Sequence, residues 1–319
     1  MKGFIILFVV FLSSCSTKID TSFNVAPYPV IYSIINATDT MHIVYITKSF
    51  SGDGGPLVDA LNPDSLYFKD VKVNLVFRTR TDSMRYEMRL DSTENKLPGI
   101  FHNPKNFYYS VISETLDKTE EWWCRFLIDI PGYRPITNLI RLIDPPKMIY
   151  PTTDGSMISL RPENPFTISW IGSSWNDLSI SFILYTHKIE GTVVDTLTYK
   201  KNAIVIPVMG SFNFGMSFSF ENFLALLNRY FTSNIGVLSR SFGPIYLKID
   251  SADKNFFEYR RMLQREIDYV FFINSKPEPV FGVFASRSSR DVRDLEFDKN
   301  TLDFLCSDSS MTKFKFVKW

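Results

Sequence analysis

The chain has 319 residues, 45% of them apolar, enough to bury more than one core of ordinary size. Lys plus Arg number 35 against 34 for Asp plus Glu, a net charge of +1, so no strong field exists to recruit nucleic acid. Three cysteines are too few for a disulfide scaffold, and the three histidines, His42, His102 and His187, have no ligand-like spacing.

The amino terminus reads MKGFIILFVVFLSSCSTKID. Lys2 is a positive n-region, and Gly3 to Leu12 form the apolar h-region of a secretory signal. The unbroken apolar run from Phe4 to Leu12 is far short of the about 20 residues that a membrane-spanning helix needs. Leu12-Ser13-Ser14-Cys15 matches the bacterial lipobox: Leu, two small residues, Cys. That resemblance implies a diacylglyceryl thioether on the Cys15 sulfur, cleavage before Cys15 and acylation of the new amino terminus. Several acyl chains in one anchor give lasting attachment where one is marginal. Ser16 rather than Asp after the cysteine points to the outer membrane. Residues 1–14 are therefore read as a signal peptide and 15–26 as a polar tether.

Strands follow. Pro29–Asn36 and Met41–Phe50 flank Ala37-Thr38-Asp39-Thr40 as a hairpin. Ser51–Pro56 is a Gly- and Pro-punctuated loop; Asp53 and Asp59 there do not have the spacing of an EF-hand. Val71, Val73, Leu75 and Phe77 alternate with polar residues, and Arg85–Leu90 is the expected partner across Asp82-Ser83. Phe107–Val111 and Trp122–Ile130 continue the pattern. The expectation for residues 27–143 is an immunoglobulin-like β-sandwich. Asp144-Pro145-Pro146 breaks the chain, because prolines remove donors and restrict their neighbours.

Residues 144–319 read as a second β-sandwich with helical insertions. Phe166–Trp170, Ile180–Leu184, Val193–Tyr199, Ala203–Val208, Ile245–Ile249, Val280–Ala285 and Phe314–Val317 have strand character. Phe220, Phe223, Leu224, Leu227 and Phe231 recur at helical spacing behind Ser219, a plausible N-cap. A second helix is expected over Ala252–Glu266, with Ser251 as its cap and Phe256, Tyr259 and Leu263 as its stripe. Ser286–Asp294 reads as a solvated loop whose Arg287, Arg290 and Arg293 are offset by Asp291 and Asp294.

No Gly-x-Ser-x-Gly, His-Glu-x-x-His, phosphate-binding Gly loop or Cys-x-x-Cys occurs in the sequence. No catalytic residue, metal ligand or cofactor is assigned. Trp122, Cys124, Phe126, Ile128 and Ile130 share one apolar face, so Trp123 lies on the other with Arg125, Leu127 and Asp129. Trp123 is the candidate ligand-contact aromatic, either a platform for a sugar or protein partner or a ring packed under a neighbouring loop. Cys124 and Cys306 are read as buried thiols, with a disulfide as the alternative. His102 and His187 read as surface or structural histidines.

Three stretches together carry a family resemblance: Ala26–Gly54, Leu97–Ser110 and Glu278–Arg290. They resemble an uncharacterised family of Bacteroidetes outer-membrane lipoproteins containing a domain of unknown function. The family pattern carries Asn-Ile-x-x-Gly before Gly-x-Phe; here Lys276-Pro277-Glu278-Pro279 precedes, and Gly282-Val283-Phe284 is kept. The resemblance implies an accessory of TonB-dependent receptors and brings no catalytic residue. The functional expectation is an outer-membrane-anchored, non-enzymatic ligand-binding or receptor-accessory protein, its ligand a glycan, a peptide or the receptor. The alternative is a structural surface protein, an adhesin or fimbrial-type subunit assembled by strand donation; a carbohydrate-active enzyme ranks third. Whether the protein faces the surface or the periplasm is left open by the sequence.

Overall fold

A computed structural model of the chain describes residues 26–49, 61–94, 105–114, 116, 120–173, 175–205, 213–265 and 280–318. The lipobox and Cys15, Asp53, Asp59, His102, the end of the expected strand Ala203–Val208 and the Lys276–Pro279 segment lie outside them. The fold is mainly β, as the alternating segments require.

Strands β1 (Pro29–Asn36) and β2 (Met41–Lys48) form the expected antiparallel hairpin. A short helix, α1 (Pro63–Leu66), is capped by the Asn62 side chain. Then β3 (Lys72–Arg78) pairs with β4 (Ser83–Glu87) across the turn at Asp82. The chain crosses at Met88, which is buried, and β5 (Arg89–Thr93) joins β6 (Asn106–Ile112) in a different sheet. The single expected strand Arg85–Leu90 is therefore two, one in each sheet. Next come β7 (Trp123–Asp129), β8 (Ile136–Arg141), β9 (Lys147–Tyr150) and the short β10 (Met157–Ile158).

In the second half, β11 (Phe166–Ile171) is followed by the long hairpin of β12 (Trp175–Lys188) and β13 (Gly191–Val205). One strand thus spans much of what the sequence suggests are two. After β14 (Asn213–Phe218) comes α2 (Phe220–Tyr230), with the Ser219 hydroxyl accepting from the Asn222 amide as expected. Strand β15 (Val237–Ala252) leads to α3 (Lys254–Arg265), and β16 (Phe281–Phe297) leads to α4 (Lys299–Ser307).

Asp253 rather than Ser251 caps α3: its Oδ1 accepts from the Phe256 amide at 2.9 Å, whereas Ser251 is buried inside β15. Of the expected stripe, Phe256 is buried but Leu263 is 61% exposed. Residues 286–294, expected as a solvated loop, lie within β16. Residues 314–317 form the end of a 3-10 turn and an isolated bridge, not a strand, and α4 was not anticipated.

The sheets run in the orders β4-β3-β7-β8, β14-β11-β9 and β13-β12-β15-β16-β1-β2-β6-β5, with β10 alongside β16 in the long sheet. The long sheet backs both sandwiches. Ile31, Ile35, Val44 and Ile46 meet Val73, Leu75, Phe77, Cys124, Phe126 and Ile128 in one core. Trp170, Phe182, Leu247, Phe218, Phe223 and Leu227 belong to the other.

Strand β16 connects the two. Residues 281–287 run parallel to β1, and 287–295 run antiparallel to β15. A segment from the end of the chain thus completes the sheet that begins with β1, so packing units and sequence segments do not coincide. Val283, Phe284, Ala285 and Ser286 are buried in succession because both faces of the sheet are covered there. Phe284 packs on Phe126, ring centroids 4.4 Å apart, while Val283 and Ala285 face Phe256 and Trp175 in a small core under α3.

The far end of β15 is closed by the carboxy-terminal segment. Arg240, 2% exposed, donates from Nη1 to the Phe314 carbonyl and Asn234 Oδ1 and from Nε to Thr186 Oγ1. Its guanidinium lies 4.0 Å from the Phe231 ring centroid, and Thr186 passes a hydrogen bond on to Asp195. No helix among the described residues is long and apolar enough to cross a membrane.

Candidate functional site

Two serines of β16 fasten the break between the sandwiches. Ser286 Oγ accepts from the Ile143 amide at 2.9 Å, and Ser288 Oγ donates to the Asp144 carbonyl at 2.7 Å. Both serines are completely buried, and the hydrogen bonds satisfy polar groups that would otherwise be stranded beside the Pro145-Pro146 break. The segment after β8 is thereby held beside the start of α3.

A cleft of about 700 Å³ lies at this junction. One wall comes from the β8 end and its exit, Leu139 to Pro145; the others come from Lys147, from Ile171-Gly172-Ser173, and from Asp253-Lys254-Asn255. Clefts of this size, largely apolar with a few convergent polar groups, are the common form of a small-molecule site, and junctions between domains are a favoured place for them.

The walls are rigid for identifiable reasons. Asp253 Oδ2 accepts from the Ser286 amide at 2.9 Å, and Asn255 Nδ2 donates to the Phe284 carbonyl at 3.1 Å, so α3 is pinned to β16 at its first turn. Burial pushes the Asp253 carboxyl up to about 6, against the opposing pull of the backbone amides it accepts from. Behind Gly172, Asn176 Oδ1 accepts from Trp170 Nε1 and from Ser251 Oγ, and Asn176 Nδ2 donates to the Ser173 carbonyl. A Cβ on Gly172 would stand 2.6 Å from Asn176 Oδ1, so this wall has room only for glycine.

At the mouth, Arg141 Nε lies 2.6 Å from the Glu121 carboxylate, and both side chains retain solvent contact. Lys147 and Lys254 are exposed. The arrangement suits a ligand with an apolar body: Leu139, Ile143, Pro145 and Ile171 supply contact area, and the flanking lysines supply donors. A second cleft of about 430 Å³ shares Asp144, Pro145 and Lys147 and adds Arg290. Among the described residues no group of three His, Cys, Asp or Glu stands close enough to hold a metal ion.

The candidate aromatic lies elsewhere. Trp123 is half-buried on the outer face of the four-stranded sheet, in register with Arg78 on β3 and Arg141 on β8. It is neither fully open nor sealed. Trp122 is 8% exposed and packs in the first core with Cys124, Phe126, Ile128 and Ile130, as the alternation requires. Cys124 and Cys306 are free thiols, one in each core region. His187 bonds Thr192 and Ser241, and His42 is buried against Ser113 and Phe77.

Sequence reasoning missed the cleft residues because they come from positions about 30 to 110 residues apart in the chain. The only local signals were the Pro-Pro break and Gly172.

No family model matches the chain, and no curated protein does. Among solved structures it is similar to a DUF4785 family protein of Legionella pneumophila, at 13% identity and TM-score 0.21, over 69% of this chain and 51% of that one. It is also similar to the IG1+IG2 segment of DIP-gamma, at 8% identity and TM-score 0.19, over 86% of this chain and 99% of that one. The match to the Legionella protein spans about half its length.

Proposed function

We propose that this chain is an outer-membrane lipoprotein, held by acyl chains on Cys15, that acts as a non-enzymatic ligand-binding or receptor-accessory component of the cell envelope. The observation that carries the binding half of this reading is the junction cleft, a concave site with rigid walls built by both sandwiches and the start of α3. The anchoring half rests on Leu12-Ser13-Ser14-Cys15 after an apolar run too short to span a bilayer. Residues 15–28 precede β1, and fully extended they reach about 50 Å, enough to hold a folded body clear of the headgroups.

In this reading the lipid supplies location and the sandwiches supply a stiff frame on which the cleft is presented. A TonB-dependent receptor in the same membrane is the partner that the sequence resemblance suggests. The test compares wild type with Cys15→Ala expressed in a lipoprotein-processing bacterium. The wild-type chain is expected to incorporate labelled fatty acid and pellet with membranes, and the variant to do neither. Equal labelling of the two would overturn the anchor. Filling the cleft with Ile171→Trp is expected to abolish co-purification with an envelope partner while leaving pelleting intact.

A further inference from the structure

The three sheets end on six edge strands, and five of them are short: β4, β5, β8, β9 and β14 have four to six residues each. A short edge is a common guard against pairing with another chain. Strand β13 is the exception. It has 15 residues, contains no proline and pairs only with β12 among the described residues. At the antiparallel rise it extends about 48 Å. Its register with β12 is unbroken from Gly191 to Lys201. Thr192, Val193, Val194, Thr196 and Thr198 are exposed and β-branched, the side chains that suit a pleated ladder. Among the described residues, no backbone group meets the free side of this stretch.

The two faces of the strand differ. Leu197 is buried in the second core, and Tyr199 packs there on Phe218 with ring centroids 4.9 Å apart. The alternate residues Thr196 and Thr198 are open to solvent. From Gly191 to Asn202 the charged residues are Asp195, Lys200 and Lys201. Asp195 Oδ2 accepts from Thr186 Oγ1 at 2.5 Å and feels the field of Arg240. Lys200 and Lys201 are exposed and form no ion pair among the described residues.

We propose that the free edge of β13 pairs antiparallel with the β13 of a second copy of this chain, joining two long sheets across a two-fold axis at Thr198. Ladder geometry and charge set that register. Opposite residues in an antiparallel ladder are either both hydrogen-bonded or both not. A strand pairing with its own copy therefore joins residues an even number of positions apart. Within that rule, an axis at Asp195, Lys200 or Lys201 would set like charges face to face, which destabilises a sheet. An axis at Thr198 sets Asp195 opposite Lys201 of the second copy, and the symmetry makes that pair twice. No other allowed register places Asp195 opposite a lysine of β13. The same axis sets Gly191 opposite Val205, so the two strands overlap from end to end. Leu197 then meets Tyr199 on the core side, and Thr198 meets its own copy on the solvent side. Two-fold pairing closes on itself, so the product is a dimer, unlike the open chain made by strand donation. No residue of β13 lines the junction cleft, and the dimer goes beyond the function proposed above.

The test uses the purified full chain in detergent micelles, its mass followed by sedimentation over a range of concentrations. A monomer–dimer equilibrium is expected. Thr198→Cys, on the axis, is expected to give a disulfide-linked dimer on mild oxidation, because directly opposed Cβ atoms lie about 4.5–5.5 Å apart. Thr196→Cys, which faces Lys200 instead of its own copy, is expected to give none. Lys201→Glu sets carboxylates opposite Asp195 at both symmetric positions and is expected to raise the dimer Kd about tenfold or more, with the circular dichroism of the folded chain kept. The proposal is overturned if the wild-type chain stays monomeric at every concentration, forms a ladder of larger oligomers or associates only with a different protein. It is equally overturned if Thr198→Cys does not cross-link, or if folded Lys201→Glu dimerises as tightly as wild type. None of these outcomes bears on acylation of Cys15, so the dimer and the anchor fail separately.

Discussion

Gly282 stands opposite Ile31 in the parallel pairing of β16 with β1, at a φ of 114°, and a Cβ on it would lie 1.8 Å from the Ile31 carbonyl oxygen. No side chain fits there, and the backbone conformation is one that L-residues rarely adopt. Gly282 is thus what lets a strand from the end of the chain enter the sheet that begins with β1. Replacing it with Ala is expected to destabilise the fold by more than ~2 kcal/mol, combining backbone strain with forced separation of the two strands. Urea unfolding followed by tryptophan fluorescence measures this; a loss below ~0.5 kcal/mol would mean that β16 does not pair in this register.

Arg240 closes the opposite end. Its removal takes the donor from the buried Phe314 carbonyl, from Asn234 Oδ1 and from Thr186 Oγ1. Arg240→Ala is expected to cost roughly 3 kcal/mol, and Arg240→Lys to recover only part of it, because a single ammonium cannot replace the planar fork. Protease clipping of the carboxy-terminal segment in the native state should rise in parallel. Equal stability of the Lys variant and wild type would contradict the role given to the fork.

Two buried titrating groups act in opposite directions. His42 is 2% exposed, and burial holds it down to about 4; Ser113 Oγ, which donates to the Glu114 carbonyl, accepts from its Nε2–H. The unfolded chain protonates this histidine near 6.5, so stability from His42 is fully present above that pH and falls as pH drops toward about 4. Asp253, pushed up to about 6 from an ordinary 3.8, takes a proton in the folded chain first, so its contribution grows as pH falls through the same window. The stability difference between wild type and His42→Gln is therefore expected to shift by roughly 3 kcal/mol against wild type from pH 6.5 to pH 4. Asp253→Asn should shift with the opposite sign. Differences that do not change with pH would contradict both assignments.

The thiols separate by environment. Cys124 is fully buried and its ionisation is pushed strongly up by that burial, whereas Cys306 is partly buried and raised less. A thiolate-directed reagent is expected to label Cys306 slowly in the native chain and Cys124 only at the rate of global unfolding. Counting labels by mass in native and denatured samples checks this. A mass lower by two hydrogens with no label would reveal a disulfide instead.

Much of the first sandwich was legible because half-buried strands alternate: Val73-Leu75-Phe77 and Cys124-Phe126-Ile128 point inward in the structure as their spacing requires. Ser219 was legible as a cap because its hydroxyl acts locally. Residues 286–294 were not. Ser286 and Ser288 are buried and the arginines exposed, so the hydrophobic signal of a strand is absent; these two serines are inside because they hold Ile143 and Asp144. The pairing of β16 with β1 spans some 250 residues and leaves a single local trace, Gly282, whose need is set by a strand from the far end of the sequence. The cleft shares that property: each of its residues is ordinary where it stands in the chain and informative only beside its distant neighbours.

The anchor remains the centre of the account, and the amino-terminal peptide of the protein purified from membranes tests it most directly. Mass spectrometry is expected to find a peptide that begins at Cys15, carries a diacylglyceryl group on sulfur and an acyl group on the terminal nitrogen, and is preceded by no residue of 1–14. A peptide with a free Cys15 thiol, or a mature terminus at any other residue, would contradict it.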